Sequence, residues 1–97
     1  MANKLKLSVV TPERLLFEGE VRYLSIPGGS GFMGVLVDHA PLIASLKPGP
    51  IEIRAASGEN LKFSISRPGF FEISANQASL LLDAADSFAL SLPAKVS

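Results

Sequence analysis

Ile26-Pro27-Gly28-Gly29-Ser30-Gly31-Phe32-Met33-Gly34-Val35-Leu36-Val37-Asp38-His39-Ala40-Pro41-Leu42, closed by Leu46-Lys47-Pro48-Gly49, clusters four of the chain's eight glycines over residues 28–34 and holds its single histidine between prolines. Gly29-x-Gly31-x-x-Gly34 has the spacing of a dinucleotide-binding turn, in which backbone N–H groups meet a pyrophosphate at the start of a helix. No helix can follow here. Val35, Leu36 and Val37 are β-branched or apolar and lead quickly to Pro41, which has no N–H to donate. The glycines instead permit a hairpin-like loop in which several residues take positive φ, with Phe32 and Met33 expected at its exposed tip. An aromatic beside a thioether makes a poor solvent surface, so either the domain or a partner should cover the pair.

On either side of this stretch the chain reads as short strands. Lys4-Leu5-Lys6-Leu7-Ser8-Val9 alternates with period two, placing Leu5, Leu7 and Val9 on one buried face, and the turn at Thr11-Pro12 ends it. Strands are expected at 15–17 and 21–26, separated by Glu18-Gly19-Glu20, where glycine suits a turn or bulge. Further strands are expected at 35–37 and 42–46, and Pro48-Gly49-Pro50 prevents a helix there. Ile51 and Ile53 then alternate with Glu52 and Arg54, and Leu61, Phe63 and Ile65 with Lys62, Ser64 and Ser66. Turns at Ser57-Gly58-Glu59-Asn60, Arg67-Pro68-Gly69 and Ala75-Asn76-Gln77 recur at the spacing of an all-β fold, a flattened β-sandwich or barrel of about ten short strands. Leu80, Leu81 and Leu82 are consecutive, which implies a last strand covered on both faces. The following residues, with Phe88, Leu90 and Leu92 at period two, are expected to lie back over Leu81.

Composition narrows the function classes. The 97 residues suit one domain with a single core. With no cysteine, disulfides, thiolate metal sites and cysteine nucleophiles are excluded. Nine basic residues balance nine acidic ones without a run of either sign, so there is no basic groove for nucleic acid. No apolar stretch reaches the roughly 20 residues needed to cross a bilayer, and the N-terminus has no signal-peptide core. The chain is therefore expected in the cytosol, where a membrane-bound partner can still hold it.

Asp38 beside His39 has the residue types of a general base with an orienting carboxylate. Adjacent residues in an extended segment point to opposite faces, which prevents that contact. Ser30, Ser45 and Ser57 lie in no Gly-x-Ser-x-Gly elbow, and one histidine without cysteines cannot build an ordinary zinc site. Neither catalysis, nor a metal, nor a cofactor is expected. His39 has two readings open to it: a ring bonded to a nearby backbone carbonyl, or a partner contact. A β-sandwich of this size also fits a non-catalytic adaptor or a small-ligand-binding module, since fold alone does not fix function. A sugar-binding module is disfavoured because Tyr23 and the phenylalanines sit mostly at core-like positions and tryptophan is absent.

The order Pro-Gly-x-x-Gly-x-x-Gly, two aliphatics, then His-Ala-Pro-Leu and Leu46-Lys47-Pro48-Gly49 resembles the epsilon subunit of rotary F-type ATP synthases. Leu7-Ser8-Val9-Val10-Thr11-Pro12, Phe17-x-Gly19-Glu20-Val21, Gly69-Phe70-Phe71-Glu72-Ile73 and the strand over 78–83 extend the likeness across about residues 4–84. The resemblance implies a β-sandwich domain over 1–84 with a short tail over 85–97 and no C-terminal helical hairpin, as in the short members of some photosynthetic bacteria. It also implies a non-catalytic central-stalk subunit, bound to the gamma subunit and the c-ring, that couples proton- or sodium-driven rotation to ATP synthesis at the cytoplasmic face of a bacterial membrane. Carried over residue by residue, it places Gly28, Gly29, Ser30, Gly31, Phe32 and Met33, with His39, Ala40, Pro41 and Leu42, at the rotor interface. Phe32 and Met33 depart from the charged or polar residues usual there, and Pro68 stands where a glycine is usual.

Overall fold

The computed structural model describes residues 4–83. The tail expected over 85–97, and its return onto Leu81, therefore lie outside the described residues. Within them the chain forms β1 (Leu5–Val10), β2 (Leu15–Gly28), β3 (Gly31–Leu36), β4 (Leu42–Leu46), β5 (Gly49–Ala55), β6 (Asn60–Ile65), β7 (Gly69–Ser74) and β8 (Gln77–Leu82). The all-β sandwich is as expected, with eight strands among the described residues instead of about ten.

One strand of the difference arises because the segments read as 15–17 and 21–26 are one 14-residue strand, β2. It stays continuous through Gly19 by absorbing irregularities. Against β1, Val9 and Val10 face Phe17 and Leu15, so Leu16 is extra. Against β5, Val21 and Tyr23 face Ala55 and Arg54, so Arg22 is extra. Each such bulge bends a strand and increases its twist. The second also resets the inside–outside alternation, leaving Val21 and Leu24, three positions apart, both fully buried.

The bends let β2 serve the whole molecule. Its first half pairs with β1 and its second lies between β3 and β5. The hydrogen-bonded order is β1-β8-β7-β4-β2-β5-β6, with β3 on β2 and β1 also on β2, so the path from β1 through β8, β7 and β4 returns to β1 by way of β2. All pairings are antiparallel except β1 with β8, which are parallel.

Alternation delivers the core. Leu5, Leu7 and Val9 meet Ile51, Ile53, Phe63, Phe71 and Leu80 in one buried cluster, and each fully buried aliphatic of this size contributes roughly 1.5–3 kcal/mol. Leu80 and Leu82 are buried while Leu81 is 41% exposed. This corrects the expectation that β8 is covered on both faces: it alternates like its neighbours. Gly69 is required at the start of β7 because a Cβ there would stand 2.8 Å from the Leu81 carbonyl oxygen.

Candidate partner interface

The glycine stretch forms the β2–β3 hairpin. Gly28 pairs with Gly31 across Gly29-Ser30, and Gly31 takes φ 137, which a side chain would strain. The turn is anchored to β4, since Gly29 N–H donates to the Ser45 carbonyl at 3.2 Å and Lys47 N–H to the Pro27 carbonyl at 2.9 Å. Phe32 and Met33 are not on a loop tip. Both lie in β3, opposite Pro27 and Ile26, because the turn closes within two residues and the chain enters the β3 ladder at Gly31. Period two then separates them: Phe32 is 66% exposed, whereas Met33 is half-buried against the core. An open depression of about 460 Å³ is lined by residues 28–33 together with Ala44 and Ser45, two positions the sequence reading missed.

Residues 39–42 lie elsewhere. β3 leads from the glycine turn to Leu36, and β4 returns from Leu42 to Leu46, which pairs with Gly28. The two predicted clusters thus stand at opposite ends of β3 and β4, roughly 15–20 Å apart at about 3.3 Å per residue, and form two surfaces instead of one.

At this second end Asp38 and His39 sit in a turn, not in an extended segment, with Asp38 at φ 67. His39 N–H donates to the Leu36 carbonyl at 3.2 Å, and the ring donates from Nδ1 to the Ala40 carbonyl at 2.7 Å. The Asp38 carboxylate accepts from Asn76 Nδ2 at 2.8 Å. Carboxylate and imidazole are thus engaged separately, and the arrangement has no orienting bond of a general base. Among the described residues no group of three or more His, Cys, Asp or Glu side chains is placed to hold a metal ion.

Beside the 39–42 turn a second depression of about 410 Å³ runs between Leu42 and Ile43 of β4 and Glu72 and Ser74 of β7. Ile43 is 76% exposed. The same outer face carries Phe70, which faces Leu81, and Leu81, which faces Val10. Sequence reasoning had not placed Ile43 or Phe70 at the surface. The available signal was local: in Phe70-Phe71, as in Leu42-Ile43, adjacent apolar residues on a strand cannot both enter the core, and exposed apolar residues gathered on one face mark a contact surface.

Residues 4–87 match the family described as ATP synthase, Delta/Epsilon chain, beta-sandwich domain. An ATP synthase epsilon chain of Leptospira interrogans is 51% identical over 82 residues, which is 84% of this chain and 63% of the relative. The chain thus spans just under two thirds of that relative's length. An ATP synthase epsilon chain of Chlorobium limicola is 41% identical over 78 residues, covering 80% of this chain and 88% of the relative. Among solved structures, a chain in the Euglena gracilis mitochondrial ATP synthase, OSCP/F1/c-ring in rotational state 1, superposes with a TM-score of 0.81 at 22% identity. That match covers 88% of this chain and 54% of the other. A chain in the Tetrahymena thermophila mitochondrial ATP synthase central stalk/c-ring gives a TM-score of 0.67 at 18% identity over 82% of this chain and 63% of that one. At these identities the structural likeness is one of fold.

Proposed function

The chain belongs to the ATP synthase delta/epsilon-chain β-sandwich family, and we propose that it is a central-stalk subunit of a rotary F-type ATP synthase, joining the gamma subunit to the c-ring. The work is mechanical. Ion flow, of protons or sodium, turns a membrane ring, and the stalk must turn with it without slipping. A close-packed sandwich resists shear and presents its loops as contact surfaces. In this role the subunit is non-catalytic and peripheral, on the cytoplasmic side of a bacterial membrane.

The reading is carried by the family match, which runs through both exposed clusters. Their position at opposite ends of β3 and β4 supports it further, because a clamp between two partners needs two separate faces. We assign the end with residues 39–42 and the exposed Ile43 to the gamma subunit, since apolar side chains suit a lasting protein interface. The hairpin end, with Ser30 and the bare peptide groups of its glycines, is assigned to the polar loops of the c-ring.

The test is co-expression with a gamma subunit from the same source, followed by size-exclusion chromatography of the wild type and of an Ile43→Asp, His39→Ala double variant, both changes lying at the end assigned to gamma. A one-to-one complex that the variant weakens is the expected result. Equal binding by both would retain the stalk role and refute the chosen surface. No complex between two folded proteins would refute the stalk role itself.

A further inference from the structure

Asp38 and Asn76 lie far apart in sequence yet clasp each other at the surface. Asp38 N–H donates to Asn76 Oδ1 at 2.7 Å, and Asn76 Nδ2 donates back to Asp38 Oδ1 at 2.8 Å. Both residues have left-handed backbone, with φ of 67 for Asp38 and 60 for Asn76. Among residues with side chains, Asn and Asp are those that tolerate it best. Asn76 is itself fixed to the frame, since its carbonyl accepts from Lys6 N–H at 2.9 Å and it belongs to the tight β7–β8 turn. The clasp therefore ties the β3–β4 connection to β1, β7 and β8.

Val37 packs against the core and His39 N–H bonds the Leu36 carbonyl; beyond these the connection is lightly held. β3 ends at Leu36 and β4 begins at Leu42, so residues 37–41 lie outside the strand ladders. The His39 ring bond to Ala40 is internal to the segment and anchors it to nothing. An exposed hydrogen-bond pair adds little to global stability, yet here it decides whether a short segment is ordered before it is bound. A segment already in its bound form avoids the ordering cost of association.

We propose that Asn76 is a positioning residue for partner binding: through Asp38 it holds residues 39–42 in the conformation that the gamma subunit accepts. The inference rests on the reading of 39–42 as a gamma contact, and its test separates the two. Full-length wild type is compared with Asn76→Gly, which keeps the left-handed turn and removes both side-chain bonds. The third protein is the swap Asp38→Asn with Asn76→Asp, in which the carboxamide and the carboxylate exchange places and both bonds can re-form. Three quantities are measured: hydrogen exchange at the Asp38 and His39 amides in the free chain, the dissociation rate from the gamma subunit, and the melting temperature.

The expected result is that Asn76→Gly exchanges both amides at least about tenfold faster and leaves gamma about tenfold faster, with a melting temperature within a few degrees of wild type. The swap should restore both rates. Unchanged exchange, or faster exchange with unchanged dissociation, would overturn the inference while leaving the stalk role intact. Should wild type not bind gamma at all, the stalk reading fails and the exchange data alone decide the clasp: faster exchange upholds the ordering of 39–42, unchanged exchange refutes it.

Discussion

Ala75 and Asn76 form the two-residue turn between Ser74 and Gln77, and both have positive φ, 52 and 60. Such a turn matches the twist of the flanking strands, but alanine pays for the left-handed conformation while asparagine tolerates it. Ala75→Gly should therefore stabilise the domain by about 0.5–1 kcal/mol, the relief of strain exceeding the added entropy of the unfolded chain. In urea denaturation the midpoint should rise with an unchanged slope. At this scale the sequence was only partly legible. Ala75-Asn76-Gln77 was readable as a turn, and the His39 ring bond to a nearby carbonyl was one of two readings left open. The meeting of Asp38 with Asn76 was not readable, because it depends on which turns the fold brings to the same end, and no local pattern encodes that.

β2 shows how an element's irregularity can matter more than its side chains. Arg22 is exposed and Arg22→Ala should change stability by no more than about 0.5 kcal/mol. Deleting Arg22 is a different experiment: it removes the extra residue opposite β5, straightens the strand, and forces the halves that serve β1 and β5 out of phase. The deletion should cost well over about 1 kcal/mol, beyond the range of surface substitutions, with both variants compared by thermal unfolding. The spacing Val21-x-x-Leu24 was the trace of this bulge in the sequence. It was missed because the irregularity was read at Glu18-Gly19-Glu20, as a turn or bulge, and a glycine flanked by charges reads alike in a turn and in an extended strand. The remaining strands were legible because their alternation is uninterrupted, as in Leu61, Phe63 and Ile65. The triple leucine misled for the opposite reason: three apolar residues in a row suggest two covered faces, yet Leu81 simply faces Phe70 and Val10 on the outer surface.

The whole molecule carries nine basic and nine acidic residues, and the ion pairs Lys4 with Glu20 and Arg67 with Asp83, each at 3.2 Å, are both exposed. Exposed pairs of this kind contribute little to stability, and a chain with no net charge has no long-range field to steer it toward a partner. Association with the gamma subunit should accordingly change its on-rate no more than a few-fold between roughly 0.05 and 0.5 M salt, measured by stopped flow, whereas a steered complex slows steeply over that range. The parallel pairing of β1 with β8 has a consequence for biosynthesis. Lys6 waits for Gln77, so at about 5–20 residues per second the first strand emerges on the order of 4–14 s before its last neighbour exists. Until then β1 has only β2 beside it, and the free edges of β1 and β7 are ready templates for strands of other nascent chains. The domain cannot mature piece by piece from its N-terminus. Ribosomes that stall before residue 77 should release a chain with a sticky edge, a natural substrate for chaperones and proteases.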